Sequence, residues 1–383
     1  MQVVISVPGT FHGFNLATQL EKRNALRHIY STYPQSKLNT QSLPSGKVTA
    51  IRYPEILTVL QSHVPFLDYG KTMKLRNLIF SKSIARRLER MESGIYVGFA
   101  GSSLYSLRRA ETLGLTTVVE RSSSHIRTQL SILSEEYRRH GMDDAPVVSA
   151  AKKDHLWPEE TEYAEADYIV TPSEFSYQSF VEQGFSEERV MHIPFGVDTE
   201  QFSPQRSTGP FRVLYAGDVS YRKGIPYLLE AWEQLSLDNA ELIVAGNIDE
   251  DIQDFIEDYR SNDSIRFLGW VDDIHEWYKK SSVFALPSLE EGSAYVTYEA
   301  MAAGLPLIAT FNSGWVGEDR EQGIEVPIRD ADEIAAAIKS LYEDETRRRA
   351  MGESARRLME TEYTWEDYGR RVHERYQEMI EEA

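Results

Sequence analysis

Short apolar runs alternate with longer amphipathic stretches along most of the chain. Residues 3–7, 95–99, 115–120, 167–171, 211–215, 241–245, 265–268, 283–286 and 307–310 are rich in Val, Ile, Leu, Phe and Tyr. Runs of that length, closed by Gly, Pro or Ser, predict strands buried on both faces, as in parallel sheets. Between them the spacing changes to helical: Leu16, Leu20 and Leu26 share one predicted face, as do Leu228, Leu229 and Trp232. Helices are predicted over 225–235 and 295–303, a long basic one over 69–91, and a last one over 365–380. Residues 34–47 are polar and predict an exposed loop. Strand–helix alternation of this kind predicts an α/β protein with parallel sheets. The alternation pauses at Pro204, Gly209 and Pro210 and restarts at Phe211. A boundary near residue 205 therefore divides a first domain, 1–205, from a second, 206–364, with residues 365–383 forming a final helix.

Size and composition narrow the class. The chain has 383 residues, enough for two cores. It has no cysteine, which excludes disulfides, thiolate zinc sites and thiol catalysis. Its first residues read as a strand, not as a secretory leader, and its longest apolar stretch is broken by Gly304 and Pro306. A cytoplasmic protein is expected. The net charge of -19 is uneven: residues 1–130 hold 17 Lys and Arg against 7 Asp and Glu, and the remainder holds 24 against 53. The basic part is densest over 71–90, at Lys71, Lys74, Arg76, Lys82, Arg86, Arg87 and Arg90. That segment is either a solvated helix face or an attraction site for an anionic acceptor or an acidic membrane surface, giving peripheral contact with the membrane's inner face. Aromatic-interleaved basic motifs are missing, so no nucleic acid partner is expected.

Candidate chemistry centres on residues 287–306. A strand end, a small-residue turn at Gly292, Ser293 and Ala294, and a helix beginning at Tyr295 expose N–H groups that favour an anion. Two acids flank this mouth, Glu291 just outside and Glu299 about a turn inside. Such acids repel phosphate unless they serve hydroxyl groups. A sugar nucleotide supplies both kinds of group. Arg222 and Lys223, after the strand at 211–215, offer the cations for its diphosphate. Glu299 suits ribose hydroxyls, Glu291 suits the sugar or charge developing at its anomeric carbon, and the backbone around Gly269 suits the base. In the first half, Gly9 and Thr10 sit in a loop after the first strand and face a ligand or merely turn the chain. His12 either touches a ligand or caps the next helix. His125, in a Ser-rich loop at a strand's carboxyl end, is a site candidate or a structural residue.

These residues resemble the large family-four (group 1) retaining glycosyltransferases. The matching segments are Phe195-Gly196-Val197-Asp198, Arg222-Lys223-Gly224, Pro287-Ser288, the Glu291 and Glu299 pair with the intervening residues, Gly304-Leu305-Pro306 and Val326-Pro327-Ile328. The resemblance implies the GT-B fold: two Rossmann-like domains facing across a cleft, the donor held mainly by the second and an acceptor by the first. The last helix then crosses back to the first domain. It also implies roles: Glu299 on the ribose, Glu291 beside the donor sugar, Lys223 on the diphosphate, residues 292–295 as an amide cradle, and His125 touching sugar. The implied reaction moves a hexosyl unit from a nucleotide-diphosphate sugar to an acceptor hydroxyl by same-face attack, with no metal and no cofactor beyond the donor. One position departs from the family: an arginine is usual after the glycine matched by Gly217, and this chain has Asp218. Arg222 then has to supply the second phosphate cation.

Other readings remain in the sequence. Asp249-Glu250-Asp251 after a strand suggests a metal-dependent transferase, or simply an acidic helix start. A GT-B sugar-nucleotide epimerase or phosphorylase, and a non-catalytic nucleotide-sugar-binding protein, use the same residues. The base (UDP, GDP or ADP), the sugar, and a sugar, lipid-linked or anionic acceptor are all open.

Overall fold

The computed structural model describes residues 1–33, 43–57, 69–89, 91, 94–204 and 209–382. Its first sheet has seven parallel strands, β1 (Gln2–Val7), β2 (Leu26–Ser31), β3 (Val48–Ala50), β4 (Gly94–Phe99), β5 (Thr116–Glu120), β6 (Tyr168–Thr171) and β7 (Val190–His192), in the order β3-β2-β1-β4-β5-β6-β7. The second has six parallel strands, β8 (Phe211–Ala216), β9 (Ala240–Ala245), β10 (Ile265–Gly269), β11 (Val283–Leu286), β12 (Leu307–Ala309) and β13 (Gly323–Glu325), in the order β10-β9-β8-β11-β12-β13. Both orders reverse direction beside the first strand of their half. Such a reversal opens a crevice at the strands' carboxyl ends. The sheets divide between His192 and Phe211; the expected boundary at residue 205 lies outside the described residues, as do residues 34–42 of the polar loop.

Why these segments become strands is plain for the central ones. β4 and β11 are buried along their whole length, so a continuous apolar run loses nothing by having no polar face. The helix Gly13–Lys22 uses Leu16 and Leu20 as expected, but the predicted face does not continue to Leu26. Asn24 takes a positive φ of 56° and turns the chain, so Leu26 opens β2 beside β1. The basic helix runs over Tyr69–Ala85. The helix Tyr295–Ala302 stops where Gly304 enters the left-handed region at φ 77°.

The final helix, Trp365–Glu382, lies on the first half. Arg23 Nη2 donates to the Glu366 carbonyl at 3.0 Å, and Tyr376 OH donates to Glu120 Oε1 at 3.3 Å. The chain reaches it through a close backbone crossing, where a Cβ on Gly196 would sit 2.5 Å from the Thr364 carbonyl oxygen. Phe195, Tyr295, Tyr368 and Trp365 then pack as an aromatic column between the halves, with Phe195 stacked on Tyr295 at 4.8 Å. Each such ring pair contributes about 1 kcal/mol beyond the area it buries.

Candidate functional site

The loops after β8 and β11 meet at the second sheet's crevice. Gly224, at φ 69°, ends the first loop so close to the second that a Cβ would overlap the Pro287 carbonyl at 2.0 Å. This approach places Arg222 and Lys223 beside the acids. Lys223 Nζ pairs with Glu291 Oε1, and Arg222 Nη2 lies 3.6 Å from Glu291 Oε2. Both expected phosphate cations and the expected sugar acid are therefore assembled at one point. Glu291 is thus a counter-ion to both cations, and Glu290 is a second one to Arg222.

The turn at residues 292–295 has a second constraint besides phosphate geometry. A Cβ on Gly292 would lie 2.0 Å from the Ser122 carbonyl oxygen of the first half. The Gly292 carbonyl accepts from Ser176 Oγ at 3.1 Å and from Ser173 Oγ, both first-half side chains. Glycine is needed here because another backbone passes against it. Ser293 Oγ donates to the Gly314 carbonyl at 2.8 Å, and the Tyr295 ring belongs to the aromatic column, so these side chains brace the turn. Ala294 N donates to the Ser313 carbonyl at 3.2 Å. Among the described residues, the amides of Gly292, Ser293 and Tyr295 have no protein acceptor. Backbone donors left without a partner near a helix start are what an anion requires.

Glu299 sits farther along the helix and accepts from Tyr278 OH through Oε2 at 2.9 Å. Burial lifts its carboxyl above the usual range, while the Tyr278 hydroxyl and His275 oppose the rise. Gly269 ends β10 at φ 66° with open space around its α-carbon, and its carbonyl accepts from Gly246 N at 2.8 Å. Its neighbour Trp270 is 70% exposed.

The first-half candidates are placed differently. Thr10 is exposed, while Gly9 is buried at φ 130°, its carbonyl accepting from Ser31 Oγ at 2.6 Å. His12 stands at the N-cap position of the helix that follows, its carbonyl accepting from Leu16 N at 2.9 Å, but its side chain makes no capping bond: the ring is buried between Phe99 and Phe195, and Nε2 lies 3.2 Å from Glu120 Oε2. His125 caps the helix Ile126–Arg139, Nδ1 accepting from Arg127 N at 3.2 Å. Its ring packs among Tyr163, Phe180 and Phe185. Burial, with help from Arg121, pushes its pKa down to about 4, so it stays neutral near pH 7. These contacts give His125 a structural task within the first half.

The expected basic patch is partly spent on structure. Arg76 is buried, with Nε donating to Glu55 Oε1 at 2.8 Å, and Lys82 lies over the Tyr105 ring at 4.6 Å. Arg90 lies outside the described residues. Asp218 is exposed, and its carbonyl accepts from Tyr215 OH at 2.6 Å. Burial, then Asp218 and Asp251, raises the carboxyl of Asp249. The triplet 249–251 opens a 3-10 turn, Glu250–Ile252, and Asp251 accepts from Tyr137 OH of the first half. Among the described residues no cluster of His, Asp and Glu is arranged to hold a metal ion.

Sequence reading missed Glu290. It is wholly buried: Oε1 accepts from Ser123 Oγ at 2.7 Å, Ser124 Oγ at 2.7 Å and Ser124 N at 3.0 Å, while Oε2 accepts from Gln129 Nε2 at 2.9 Å and Arg222 Nε at 3.0 Å. Burial opposes its charge, yet Arg222 and the serines prevail and hold the carboxyl below the usual range. A second buried acid, Glu136, bridges the halves through Arg329 Nε at 2.7 Å and Tyr227 OH at 2.9 Å. Adjacent acids in an otherwise apolar stretch were the one signal available for Glu290.

Part of the chain is similar to proteins of a known family. Residues 197–358 match the family described as glycosyl transferases group 1. An uncharacterized glycosyltransferase of Methanocaldococcus jannaschii is 31% identical over 164 residues, 40% of this chain and 42% of that protein. Glycogen synthase of Mycobacterium tuberculosis is 29% identical over 219 residues, 53% of this chain and 52% of that protein. The chain thus spans about half the length of these curated relatives. Among solved structures, Anabaena HepE in complex with UDP and glucose superposes with a TM-score of 0.70 at 14% identity, covering 99% of this chain and 100% of that one. Sucrose-phosphate synthase of Thermosynechococcus elongatus reaches 0.70 at 17% identity, covering 100% of both chains. These likenesses establish the GT-B fold. The matched segment contains Lys223, Glu291 and Glu299, and over that segment the chain is similar to the group 1 glycosyltransferases.

Proposed function

We propose that this protein moves a hexosyl unit from a nucleotide-diphosphate sugar to an acceptor hydroxyl with retention of configuration and without a metal ion. The observation that carries this reading is the meeting of Arg222 and Lys223 with Glu291 beside the free amides of the Gly292 turn. An incoming diphosphate takes over the two cations from Glu291. The freed carboxylate then turns to the sugar hydroxyls or to positive charge at the anomeric carbon. Glu299, already oriented by Tyr278, accepts from the ribose hydroxyls. Lys223, Arg222 and the amides stabilise the charge that grows on the leaving diphosphate, and the acceptor attacks from the same face. His125 supports the first-half loop from behind rather than moving a proton.

HepE, which shares the fold, binds UDP and glucose, so UDP is the first nucleotide to test. Residues 69–85 offer part of a basic face to an anionic acceptor or membrane headgroup, and among the described residues no helix is long and apolar enough to cross a membrane. A melting-temperature screen with UDP, GDP and ADP identifies the donor base, because a ligand selective for the folded state raises the melting point. Lys223→Ala and Glu299→Ala are each expected to weaken the active nucleotide about tenfold or more by calorimetry, the loss of one charge-assisted contact. Unchanged affinity in both variants refutes the site. Asp218 favours a second reading, a nucleotide-sugar-binding protein without turnover, because it adds an acid near the phosphate mouth. Nucleotide release that requires an acceptor and survives a chelator decides for transfer.

A further inference from the structure

Glu290 and Arg222 connect the two halves in a way that the binding of a diphosphate by itself does not explain. The carboxylate is buried and receives hydroxyl, amide and side-chain amide donors from Ser123, Ser124 and Gln129 of the first half. Arg222 reaches it through Nε, at 3.0 Å from both Oε2 and the Glu290 carbonyl, while Nη2 points toward Ser123 Oγ at 3.5 Å and Glu291 Oε2 at 3.6 Å. The guanidinium is thus gripped by one edge, with a terminal nitrogen at the mouth.

We propose that Glu290 is a positioning residue that sets Arg222 against the donor diphosphate when the segment containing Ser123 and Gln129 is docked. The inference rests on the phosphate-binding role given to Arg222 above. With the first-half donors in place, Oε1 is satisfied by neutral groups and Arg222 is held by Nε. When that segment leaves, the carboxylate loses those donors, and the guanidinium is its nearest remaining partner. Arginine and carboxylate then favour a two-pronged pair, which withdraws the terminal nitrogens from the mouth. Closure of the halves and capture of the diphosphate become one event, and water is kept from a donor whose acceptor side is undocked.

Neutral first-half side chains provide the cleanest test, since changing Glu290 itself also removes a repelling charge. Ser123→Ala and Gln129→Ala are made in the wild-type chain and in Arg222→Ala, and UDP, GDP and ADP are titrated into each by calorimetry. The first-half variants are expected to weaken the bound nucleotide about fivefold in the wild-type chain and to have no further effect in Arg222→Ala, as coupled neighbours do. Equal losses in both backgrounds, or no loss in either, overturn the positioning role while leaving the donor site intact. A wild-type chain that binds none of the three nucleotides overturns the donor reading and this inference together.

Discussion

The two halves repeat one strand order around one kind of sheet edge, yet they meet the crevice with different chemistry. The second half brings charge: Arg222, Lys223, Glu290 and Glu291 stand on loops at its strand ends, and Glu299 stands on the helix that follows. The first half answers with hydroxyls and amides from Ser123, Ser124, Gln129, Ser173 and Ser176. The buried Glu290 keeps its charge between neutral first-half donors on one side and the Arg222 guanidinium on the other, so the first half adds no cation of its own to that carboxylate. Under the proposed function the difference is a division of labour: one half binds the anion, and the other fixes the binder.

The largest expected effect comes from Gly292→Ala, which pushes a methyl group into the Ser122 backbone and separates the halves while keeping every charge. Transfer activity is expected to fall by about a hundredfold, the scale of an ångström's misplacement at a reacting centre. Near-normal turnover would show that the charged half works alone. Next is Arg329→Ala, which strips the buried Glu136 of its cation away from the phosphate mouth. A loss of about 2 kcal/mol in urea unfolding is expected, below the full cost of a broken buried pair because Tyr227 remains. Intact nucleotide affinity in this variant would separate the holding of the halves from the binding of the donor.

The smallest effect is on pH. His125 belongs to the neutral half, and burial places its folded pKa near 4, below its usual 6.5. The unfolded chain therefore binds the proton first on acidification. Stability from this group is complete above pH 6.5 and is lost as the pH falls from there toward 4. The stability of His125→Gln is expected to fall less than that of the wild type across that window. Identical slopes would mean that the ring is not protected from protons by the first half's aromatic residues.

The strongest elements were legible because they are local. β1, β4 and β11 are apolar runs, and β8 and β9 are apolar but for one charged position each, so their burial needs no further information. β2 was hidden because Leu26 continues the spacing of Leu16 and Leu20, and the positive φ of Asn24 that breaks it is not written in periodicity. β13 was hidden because a three-residue strand at a sheet edge has too few positions to show a pattern. In the site, Glu291 and Glu299 were legible because one loop and one helix hold them at a constant spacing. Arg222 and Lys223 were legible because they follow a clear strand.

The amino-acid sequence by itself determined the alternation of strands and helices, the acids and cations at the second half's edges, and the glycine turn between them. Each follows from forces that act within a few residues. The tertiary structure alone decided that Ser123 and Ser124 serve Glu290 across 167 and 166 positions, that Gly292 is small for the sake of Ser122, and that His125 faces aromatic rings. Those pairings arise when two separately patterned halves are pressed together. A buried charge then takes whichever donors the opposing surface presents.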